Sequence, residues 1–314
     1  MFFCVLGLPM LVACQQNDLA EISSELNPLS MEAEISGASN NVISRTNTTH
    51  EGNVSFSAGD KIGFYMPEAE TAGEWSYSGS NWTSSVNYEW KDKVMPYHFC
   101  AFYPSVESAP RTAIPMPDLS LQTGTWEDLG QYDFLVAHNT SKYTDKSGVV
   151  SFTGESAFKH VYAMVSITLK KDKEEEQVTL SDITFEAPGI VTPHTYQLGN
   201  SAMEDAMSIS GDAVDTFTLP NISNDVPTEG CNKVFIVNPL ELEDPINLLI
   251  KYNRDGISYS ASTKALGTNL KKGSFYNLTL RLKKSGLVVE GNTVEDWNLV
   301  NMDDVNVEEI PTIE

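Results

Sequence analysis

The sequence predicts an all-β fold in which two β-sandwich domains follow one another along the chain. Apolar residues recur with a period of two in many short runs, which is typical of strands that bury one face. Pro, Gly and Asn separate these runs, and no window shows an amphipathic helix of three turns. Many short strands between turn signals favour β-sandwiches, and Greek-key connections are the usual way to pair such strands.

Length and charge limit the classes of protein to be considered. The chain has 314 residues, enough for two domains that each bury a core. Its formal net charge is -23 and its pI is near 4.5. Such an acidic surface repels phosphate groups, so nucleic acid is excluded as a partner. Beyond residue 14 the only cysteines are Cys100 and Cys231, which we expect in different domains; without a CxxC pair they predict neither a disulfide framework nor a zinc knuckle.

The first 14 residues are typical of a bacterial lipoprotein signal. An apolar run from Phe2 ends in LVAC at residues 11–14, and polar residues follow at once. Small and apolar side chains let a membrane peptidase cut between Ala13 and Cys14 after the Cys14 thiol has received a diacylglycerol. The alternative is a buried N-terminal strand that merely contains a cysteine. The run lacks the Lys or Arg of an ordinary signal, which leaves the true translational start open.

We therefore predict a signal peptide at residues 1–13, a flexible tether at 14–30 and a lipid on Cys14. No later stretch is apolar enough for a membrane-spanning helix, so the lipid would be the only membrane attachment. A strand is predicted to begin near Glu32. Arg45 is the first basic residue of the chain, and it lies in a polar segment where a trypsin-like protease could cut before Thr46. The alternative is an ordinary loop arginine.

Regular structure then begins with a period of two. Strands of the first half are predicted at residues 61–67, 99–103 and 161–169, with a hairpin at 77–82. The clearest is 161–169, which has the alternation of a half-buried antiparallel strand. A charged run at 170–176 follows and marks the predicted boundary between an N-terminal domain at 31–172 and a C-terminal domain at 173–314.

The second half continues in the same style. Its strands are predicted at residues 178–185, 233–237, 247–252 and 274–282. The closing segment alternates only weakly, around Leu287, Val289, Val294 and Trp297. It ends in an acidic tail at 305–314.

A search for catalytic or metal-binding residues gives no convincing set. Ser156 lies in GESAF, which departs from a nucleophile elbow because Phe158 replaces the second glycine. His160 is expected to be a hydrogen-bonded histidine of the core or of a sheet edge. The acidic pairs Glu127/Asp128 and Asp303/Asp304 could serve a glycosidase or hold calcium, but in so acidic a chain we interpret them as solvated charge. The histidines show neither an HExxH motif nor a pair at ligand spacing; they are His50, His98, His138, His160 and His194. No catalytic residue, metal or cofactor is predicted, and the protein is not expected to be an enzyme.

An aromatic cluster supports one alternative function. It consists of Trp75, Tyr77, Trp82, Tyr88 and Trp90. Aromatic rings on a hairpin can form a flat platform on which sugar rings stack, as expected for a carbohydrate-binding surface lipoprotein. The other interpretation is that these rings cover one end of the first sandwich.

Four short motifs, in order, resemble the fimbrillin-like family. FSAGDKIG at residues 56–63 is similar to the opening "W-x-x-GD-x-IG" of that family, with Phe56 where tryptophan is usual. FCAFYP at 99–104 resembles its "FYAYYP" strand, and YDFLVA at 132–137 resembles its "DFLxA" segment. FKH at 158–160 opens a stretch similar to its "FxH-xxxK-V" block. The resemblance extends to GSFY at 273–276 and to Trp297, and it covers most of the mature chain.

The resemblance implies a subunit of type V pili, or a related surface lipoprotein, with two transthyretin-like sandwiches and a role in adhesion. In such pilins the lipidated precursor reaches the outer membrane surface, where a trypsin-like protease cuts after an arginine. Here that arginine is Arg45, the strand released would lie at about 32–44, and the candidate donor strand lies at about 286–307. The vacated groove accepts a strand from the next subunit by β-augmentation.

The partners implied are therefore other fimbrial subunits, a trypsin-like surface protease and the outer membrane. An alternative within this class is a permanently lipidated anchor or accessory subunit that caps the fibre.

Overall fold

The computed structural model describes residues 27–36, 55–200, 203–284 and 286–297. This part of the chain contains 22 strands and three 3₁₀ turns, and no α-helix. The predicted all-β class is confirmed. None of the helical segments in these ranges combines the length and the apolar character that crossing a membrane requires.

The first nine strands come from the first half of the chain. They are β1 (Ser30–Ala33), β2 (Lys61–Tyr65), β3 (Gly73–Tyr77), β4 (Trp82–Thr83), β5 (Tyr97–Tyr103), β6 (Ile114–Pro115), β7 (Leu135–Ser141), β8 (Val149–Phe152) and β9 (Lys159–His160). Six of them form an antiparallel sheet in the order β4-β3-β2-β5-β7-β9. β1 and β8 form a separate parallel pair. The rings of Phe64 on β2 and Phe152 on β8 are 6.4 Å apart, so the pair packs on this sheet.

The second half contributes thirteen strands. They are β10 (Ala163–Lys171), β11 (Val178–Glu186), β12 (His194–Gln197), β13 (Ala206–Ile209), β14 (Thr216–Leu219), β15 (Asn224–Asp225), β16 (Cys231–Val237), β17 (Leu240–Glu241), β18 (Asn247–Arg254), β19 (Ile257–Thr263), β20 (Asn269–Leu270), β21 (Ser274–Lys283) and β22 (Gly286–Asp296). One sheet has the order β16-β10-β21-β22, and another has the order β14-β11-β18-β19 with β15 beside β11. Phe185 of the second sheet packs edge-on against Phe235 of the first, 5.0 Å between ring centroids, and the two sheets thus share a core.

Smaller elements complete the fold. A three-stranded sheet of order β13-β12-β6 joins the two halves, because β6 belongs to the first half and β12 and β13 to the second. β17 pairs with β20. The 3₁₀ turns are Leu119–Leu121, Leu129–Gln131 and Gly154–Ser156.

The strand predicted at 161–169 differs from expectation in two ways. It was expected to be half-buried and antiparallel, but Val165, Ser166 and Ile167 are all buried and the strand lies in the middle of its sheet. It runs antiparallel to β16 and parallel to β21. The strand also carries a buried polar residue: the Ser166 hydroxyl accepts a hydrogen bond from the side chain of Asn232 on the neighbouring strand, 2.8 Å away. Both of its partners follow the predicted domain boundary at 172; that boundary and the tandem transthyretin-like arrangement stay predictions.

Candidate assembly site

The segment 27–36 lies in a cleft of the first half and is held by backbone hydrogen bonds along its length. At its start, Trp90 N donates to Asn27 O and Leu29 N donates to Tyr88 O, both at 2.9 Å. β1 then runs parallel to β8, with Met31 directly opposite Val150. The segment therefore takes the position of an inserted strand.

The second part of the segment is bound on the side of β9. Glu34 N donates to Phe152 O at 3.0 Å, and Phe158 N donates to Glu34 O at 2.9 Å. Ser36 N donates to Phe158 O at 2.8 Å, and Ile35 forms a parallel bridge with Phe158. Backbone hydrogen bonds therefore hold both ends of the segment: the start is bound to the chain around Trp90, and the end is bound to the chain around Phe158.

Alternate side chains of the segment enter the core. Leu29 and Met31 are 7% exposed and Ile35 is 2% exposed, while Ala33 is partly buried against the same core. Burial of a large apolar side chain stabilises a fold by roughly 1.5–3 kcal/mol. Burial of the three large side chains therefore stabilises the segment in its cleft, and their period of two fixes its register.

The outward face of the segment is polar. Glu32 forms an ion pair with Lys146 and accepts a hydrogen bond from Ser151. These hydrogen bonds, that of Lys146 first, hold the pKa of Glu32 below its ordinary value. Glu34 Oε1 accepts a hydrogen bond from Gly154 N at 2.6 Å. These contacts position the strand without closing its outer face to solvent.

Several predicted site residues lie outside the described residues. These are the signal cleavage pair Ala13 and Cys14, the processing pair Arg45 and Thr46, and His50. The strand predicted at about 32–44 is described only as far as residue 36, and β1 begins two residues before it, at Ser30. The proposed roles of Cys14 and Arg45 stay predictions.

The predicted donor segment at about 286–307 divides into two parts. Its first part is β22, which pairs with β21 of the same chain from Gly286 to Asp296. Trp297 ends this part: its backbone N donates to Gly273 O at 2.7 Å, and its side chain is buried. Residues 298–307 lie outside the described part of the chain.

The aromatic cluster belongs to the core and does not form an open platform. Trp75, Trp82 and Trp90 are all buried, and Tyr77 and Tyr88 are partly buried. Trp75 stacks on Tyr88 with centroids 5.8 Å apart, and Trp90 packs edge-on against Phe99 at 4.9 Å. The tryptophans therefore give no support to the interpretation as a sugar platform, because they are buried and neighbouring rings pack against them.

The residues considered as weak catalytic candidates form ordinary hydrogen bonds with neighbouring side chains. Ser156 Oγ accepts a hydrogen bond from Asn139 at 3.4 Å. Asp128 accepts a hydrogen bond from the Thr125 hydroxyl at 3.2 Å, as expected for a turn carboxylate. Asp303 and Asp304 lie outside the described residues.

His160 is a buried histidine, as expected. Its Nδ1 lies 2.8 Å from Asp133 Oδ2, and both side chains are almost fully buried. Asp133 Oδ1 also accepts a hydrogen bond from Phe134 N at 2.8 Å, and the Trp297 ring stacks on His160. This contact brings together the YDFLVA, FKH and Trp297 motifs, which are far apart in sequence.

Close packing explains why the last position of the first motif is a glycine, Gly63. A Cβ on Gly63 would lie 2.1 Å from the Phe102 ring, which belongs to the FCAFYP motif on the adjacent strand. Phe56, where tryptophan is usual in the motif, packs edge-on against Trp82 at 5.0 Å and Phe158 at 5.2 Å. The motifs therefore mark close packing within the first sheet.

The histidines show no pair at ligand spacing along the sequence, but the fold brings His98 and His138 close together. They are on the neighbouring strands β5 and β7, and together with Cys100 they form a cluster in which one donor atom of each residue lies within 4.8 Å of the others. The signal in the sequence was the HxC spacing at 98–100, since residues i and i+2 of a strand share a face. In the described part of the chain, Cys100 is a buried free cysteine and Cys231 is a partly buried one.

Asp205 lies beside the cluster, and the pKa values of Asp205 and His138 are shifted by their contact. Burial disfavours the charged His138 ring, but hydrogen bonds with Asp205 and Cys100 outweigh it and raise the pKa of His138 to about 9. Burial also opposes the Asp205 carboxylate, yet hydrogen bonds with His138, Gly199 and Tyr196 lower its pKa to about 2. Burial, together with the nearby His138 and Arg111, lowers the pKa of His98.

The fold is that of a β-sandwich protein in which the segment 27–36 pairs with β8. The profile of the family described as "Fimbrillin-like" matches residues 44–297. The chain therefore belongs to the fimbrillin-like family. This is a family of structural fimbrial subunits, so membership supports a structural role at the cell surface, with other fimbrial subunits as partners.

Solved structures are similar in fold. A "putative cell adhesion protein" from Bacteroides uniformis has a TM-score of 0.58 and 18% identity, with 86% of this chain and 99% of that chain covered. One from Bacteroides ovatus has a TM-score of 0.53 and 12% identity, with 89% and 99% covered. The tip fimbrial protein Mfa3 from Porphyromonas gingivalis has a TM-score of 0.48 and 9% identity, with 86% and 100% covered. At these identities the similarity to the two Bacteroides proteins shows the fold alone. A search of curated proteins finds no match.

Proposed function

We propose that this protein is a structural subunit of a bacterial surface fimbria, exported as a lipoprotein precursor and assembled by protease-assisted strand exchange. The observation that carries the proposal is the segment 27–36, which fills a cleft as an inserted strand and precedes Arg45 in the chain. A cut between Arg45 and Thr46 would leave this segment bound by noncovalent contacts alone. The protein would then be one dissociation step away from an open cleft.

The open cleft would have the properties of a strand acceptor. Loss of the segment uncovers the pockets of Leu29, Met31 and Ile35, and it frees the backbone groups of Phe152 and Phe158 that the segment now binds. An apolar groove beside an unpaired strand binds an extended peptide through backbone hydrogen bonds and alternate side chains. A strand from a second subunit is the occupant that this chemistry favours.

The donor is proposed to be the C-terminal part of another copy or of a related subunit. β22 is already paired with β21 in its own chain, which favours the part of the predicted donor segment that follows Trp297. There Val300 and Met302 alternate, as do Val305 and Val307. Such alternation matches the period of the side chains that β1 places in the cleft.

The lipid on Cys14 would carry the precursor to the outer membrane surface. A cysteine with two acyl chains is a stable anchor, because each buried CH₂ contributes about 0.8 kcal/mol. Cleavage at Arg45 would separate the assembled subunit from that anchor. The same chain without cleavage would remain attached and act as an anchor or accessory subunit.

Mass spectrometry of the N-terminus of subunits in isolated fibres tests the proposal. Chains that start at Thr46 support polymerisation after cleavage, whereas a lipidated Cys14 on every chain supports the accessory role and contradicts polymerisation. The Arg45→Ala variant is expected to abolish the heat-resistant ladder of oligomers on denaturing gels. Lys142→Ala is the matched control, because Lys142 is an exposed basic residue beside a turn, and this variant should keep the ladder. Arg111 is not suitable as a control because it is buried.

A further inference from the structure

The cluster of His98, Cys100 and His138 lies where two strands of the first sheet meet a loop from the second half of the chain. Cys100 on β5 is directly opposite His138 on β7, and His98 is opposite Thr140. The period of two puts His98 and Cys100 on the same face of β5. Three metal-binding side chains thus project from two adjacent strands of one rigid sheet.

We propose that His98, Cys100 and His138 bind a divalent transition-metal ion, with Zn²⁺ as the ion that the donor set fits. The proposed ligand atoms are His98 Nε2, His138 Nδ1 and Cys100 Sγ. Two imidazoles and one thiolate form a set of borderline and soft donors that zinc prefers to the carboxylate-only sets of calcium and magnesium.

Two of the three distances between the ligand atoms match those around a tetrahedral ion, and the third is within 4.8 Å. His98 Nε2 and His138 Nδ1 are 3.2 Å apart, and Cys100 Sγ and His138 Nδ1 are 3.5 Å apart. With metal–nitrogen bonds of about 2.0–2.1 Å and a metal–sulfur bond of about 2.3 Å, tetrahedral ligand atoms lie roughly 3.3 Å and 3.5 Å apart. The backbone already holds these two pairs at the spacing that zinc requires.

The ring nitrogens that face away from the proposed ion have their own partners. His98 Nδ1 is 3.0 Å from the Thr140 hydroxyl, and His138 Nε2 is 3.1 Å from Asp205 Oδ2. Metal-binding histidines commonly use the second ring nitrogen in this way, which fixes the orientation of the ring and the nitrogen left for the metal.

Asp205 is itself held in place. It accepts hydrogen bonds from the Tyr196 hydroxyl at 2.8 Å and from Gly199 N at 2.7 Å. Tyr196 belongs to β12, the strand that pairs with β6, so the carboxylate connects the ligands of the first sheet to the second half of the chain. A bound ion would therefore brace the junction between the two halves.

The surroundings allow an ion to enter and balance its charge. His98 and His138 are half-buried, with the His138 side chain 32% exposed, so the fourth ligand position can be filled by water. Asp205 supplies one negative charge and a Cys100 thiolate would supply another. Arg111 contacts the cluster directly, 3.6 Å from Cys100 Sγ. Lys272 is 3.2 Å from the hydroxyl of Tyr196, which in turn binds Asp205.

Zinc binding by the reduced, purified full chain tests the proposal. We expect one Zn²⁺ per chain by equilibrium dialysis, and a melting temperature that rises by about 5–10 °C when free zinc exceeds Kd 100-fold. Cobalt as a substitute should give the absorption of a tetrahedral ion and a sulfur-to-cobalt charge-transfer band. The Cys100→Ser variant should lose that band, and Asp205→Asn should weaken binding by about 10–100-fold.

Matched variants separate this site from adventitious binding to the acidic surface. Cys231→Ser and His194→Gln remove a cysteine and a histidine outside the cluster, so both should bind zinc like the parent chain. His98→Gln leaves the contact between His138 and Asp205 intact and should fold. If Cys100→Ser does not fold, the zinc affinity of His98→Gln tests the site instead. Equal zinc affinity in the parent and in His98→Gln, or no zinc bound by the parent, would overturn the proposal.

Discussion

The described chain begins and ends with strands that are held in different ways. β1 has four residues and pairs with β8 alone, but the segment 27–36 around it is also held by backbone hydrogen bonds to Tyr88 and Trp90 before the strand and to Phe158 after it. Leu29, Met31 and Ile35 of this segment are buried. β22 has eleven residues and lies at the edge of a sheet, where it pairs with β21 alone within that sheet. Val289 and Val294 on β22 are each 39% exposed.

The difference shows that strand length does not measure how much a strand contributes to the core. Removal of β1 would open apolar pockets as well as backbone groups, whereas removal of the middle of β22 would mainly expose the edge of β21. A cleft with pockets can select a replacement strand by its side chains. The N-terminal segment is thus the part of this fold that is suited to exchange.

The largest effect is expected from a charge in the cleft. Ile35→Asp places a carboxylate where the side chain is 2% exposed, so we expect the local free energy of unfolding to fall by about 4 kcal/mol or more. Hydrogen exchange at the Phe158 amide, which donates to Glu34 O, reports the release of the segment. Val289→Asp on β22 is the matched control and should change stability little. If both variants lost the same stability, the contrast between the two strands would be wrong.

The next largest effect is expected at Trp297, a buried residue directly after the end of β22. Trp297 is 5% exposed and stacks on His160, so Trp297→Ala should lower the free energy of unfolding by about 3–4 kcal/mol. Trp297→Phe keeps an aromatic ring over His160 and should cost less than half as much. Urea denaturation measures both variants, and equal losses would show that the stacking has no role.

A pH effect is expected for the docking of β1. Hydrogen bonds from Lys146 and Ser151 hold the pKa of Glu32 below its ordinary value. A carboxyl with a lowered pKa in the folded state stabilises that state above its unfolded pKa and loses this contribution as the pH falls through the folded one. Exchange at the Phe158 amide, corrected for its intrinsic pH dependence, should therefore increase below about pH 4.3, the pKa of an unperturbed glutamate.

Glu32→Gln should remove this dependence, since the amide does not titrate. Glu290→Gln is the matched control: the pKa of Glu290 is also lowered, by Arg281, but this residue is on β22. It should leave the pH dependence at Phe158 unchanged. A dependence that survives Glu32→Gln would assign the effect to another group.

The smallest effect is expected on the exposed face of β22. Val289→Ala removes methyl groups that are largely in contact with water, so the free energy of unfolding should change by no more than about 0.5 kcal/mol. Met31→Ala is the matched change in β1 and should cost about 2–4 kcal/mol. A larger loss for Val289→Ala than for Met31→Ala, in urea denaturation, would reverse the comparison.

Strands could be predicted from the sequence because their signal is local. The run at 247–252 corresponds to β18, the run at 274–282 to β21, and the hairpin at 77–82 to the pairing of Tyr77 with Trp82. The weak alternation after Leu287 also has a local reason. The register between β21 and β22 shifts near Glu290, and one extra residue moves the following side chains to the opposite face.

Pairing between distant strands could not be predicted in the same way. The parallel pairing of β1 with β8 and the central position of β10 depend on contacts between residues far apart in sequence, which no period reveals. For the same reason His138 did not stand out beside His98, since the register of β5 and β7 brings them together. The family motifs indicated the class of protein, but their own side chains serve packing, as the pair of Asp133 and His160 shows.

A zero-length cross-link between Lys146 and Glu32 tests the central claim most directly. A carbodiimide joins an amine and a carboxylate that are in contact, and these two side chains form an ion pair across the outer face of β1. In the precursor we expect this cross-link within one chain. In assembled fibres we expect it to be absent, with Lys146 joined instead to a carboxylate of the donor segment of a neighbouring chain, such as Asp303 or Asp304. The same Lys146–Glu32 link in fibres would contradict strand exchange at this cleft.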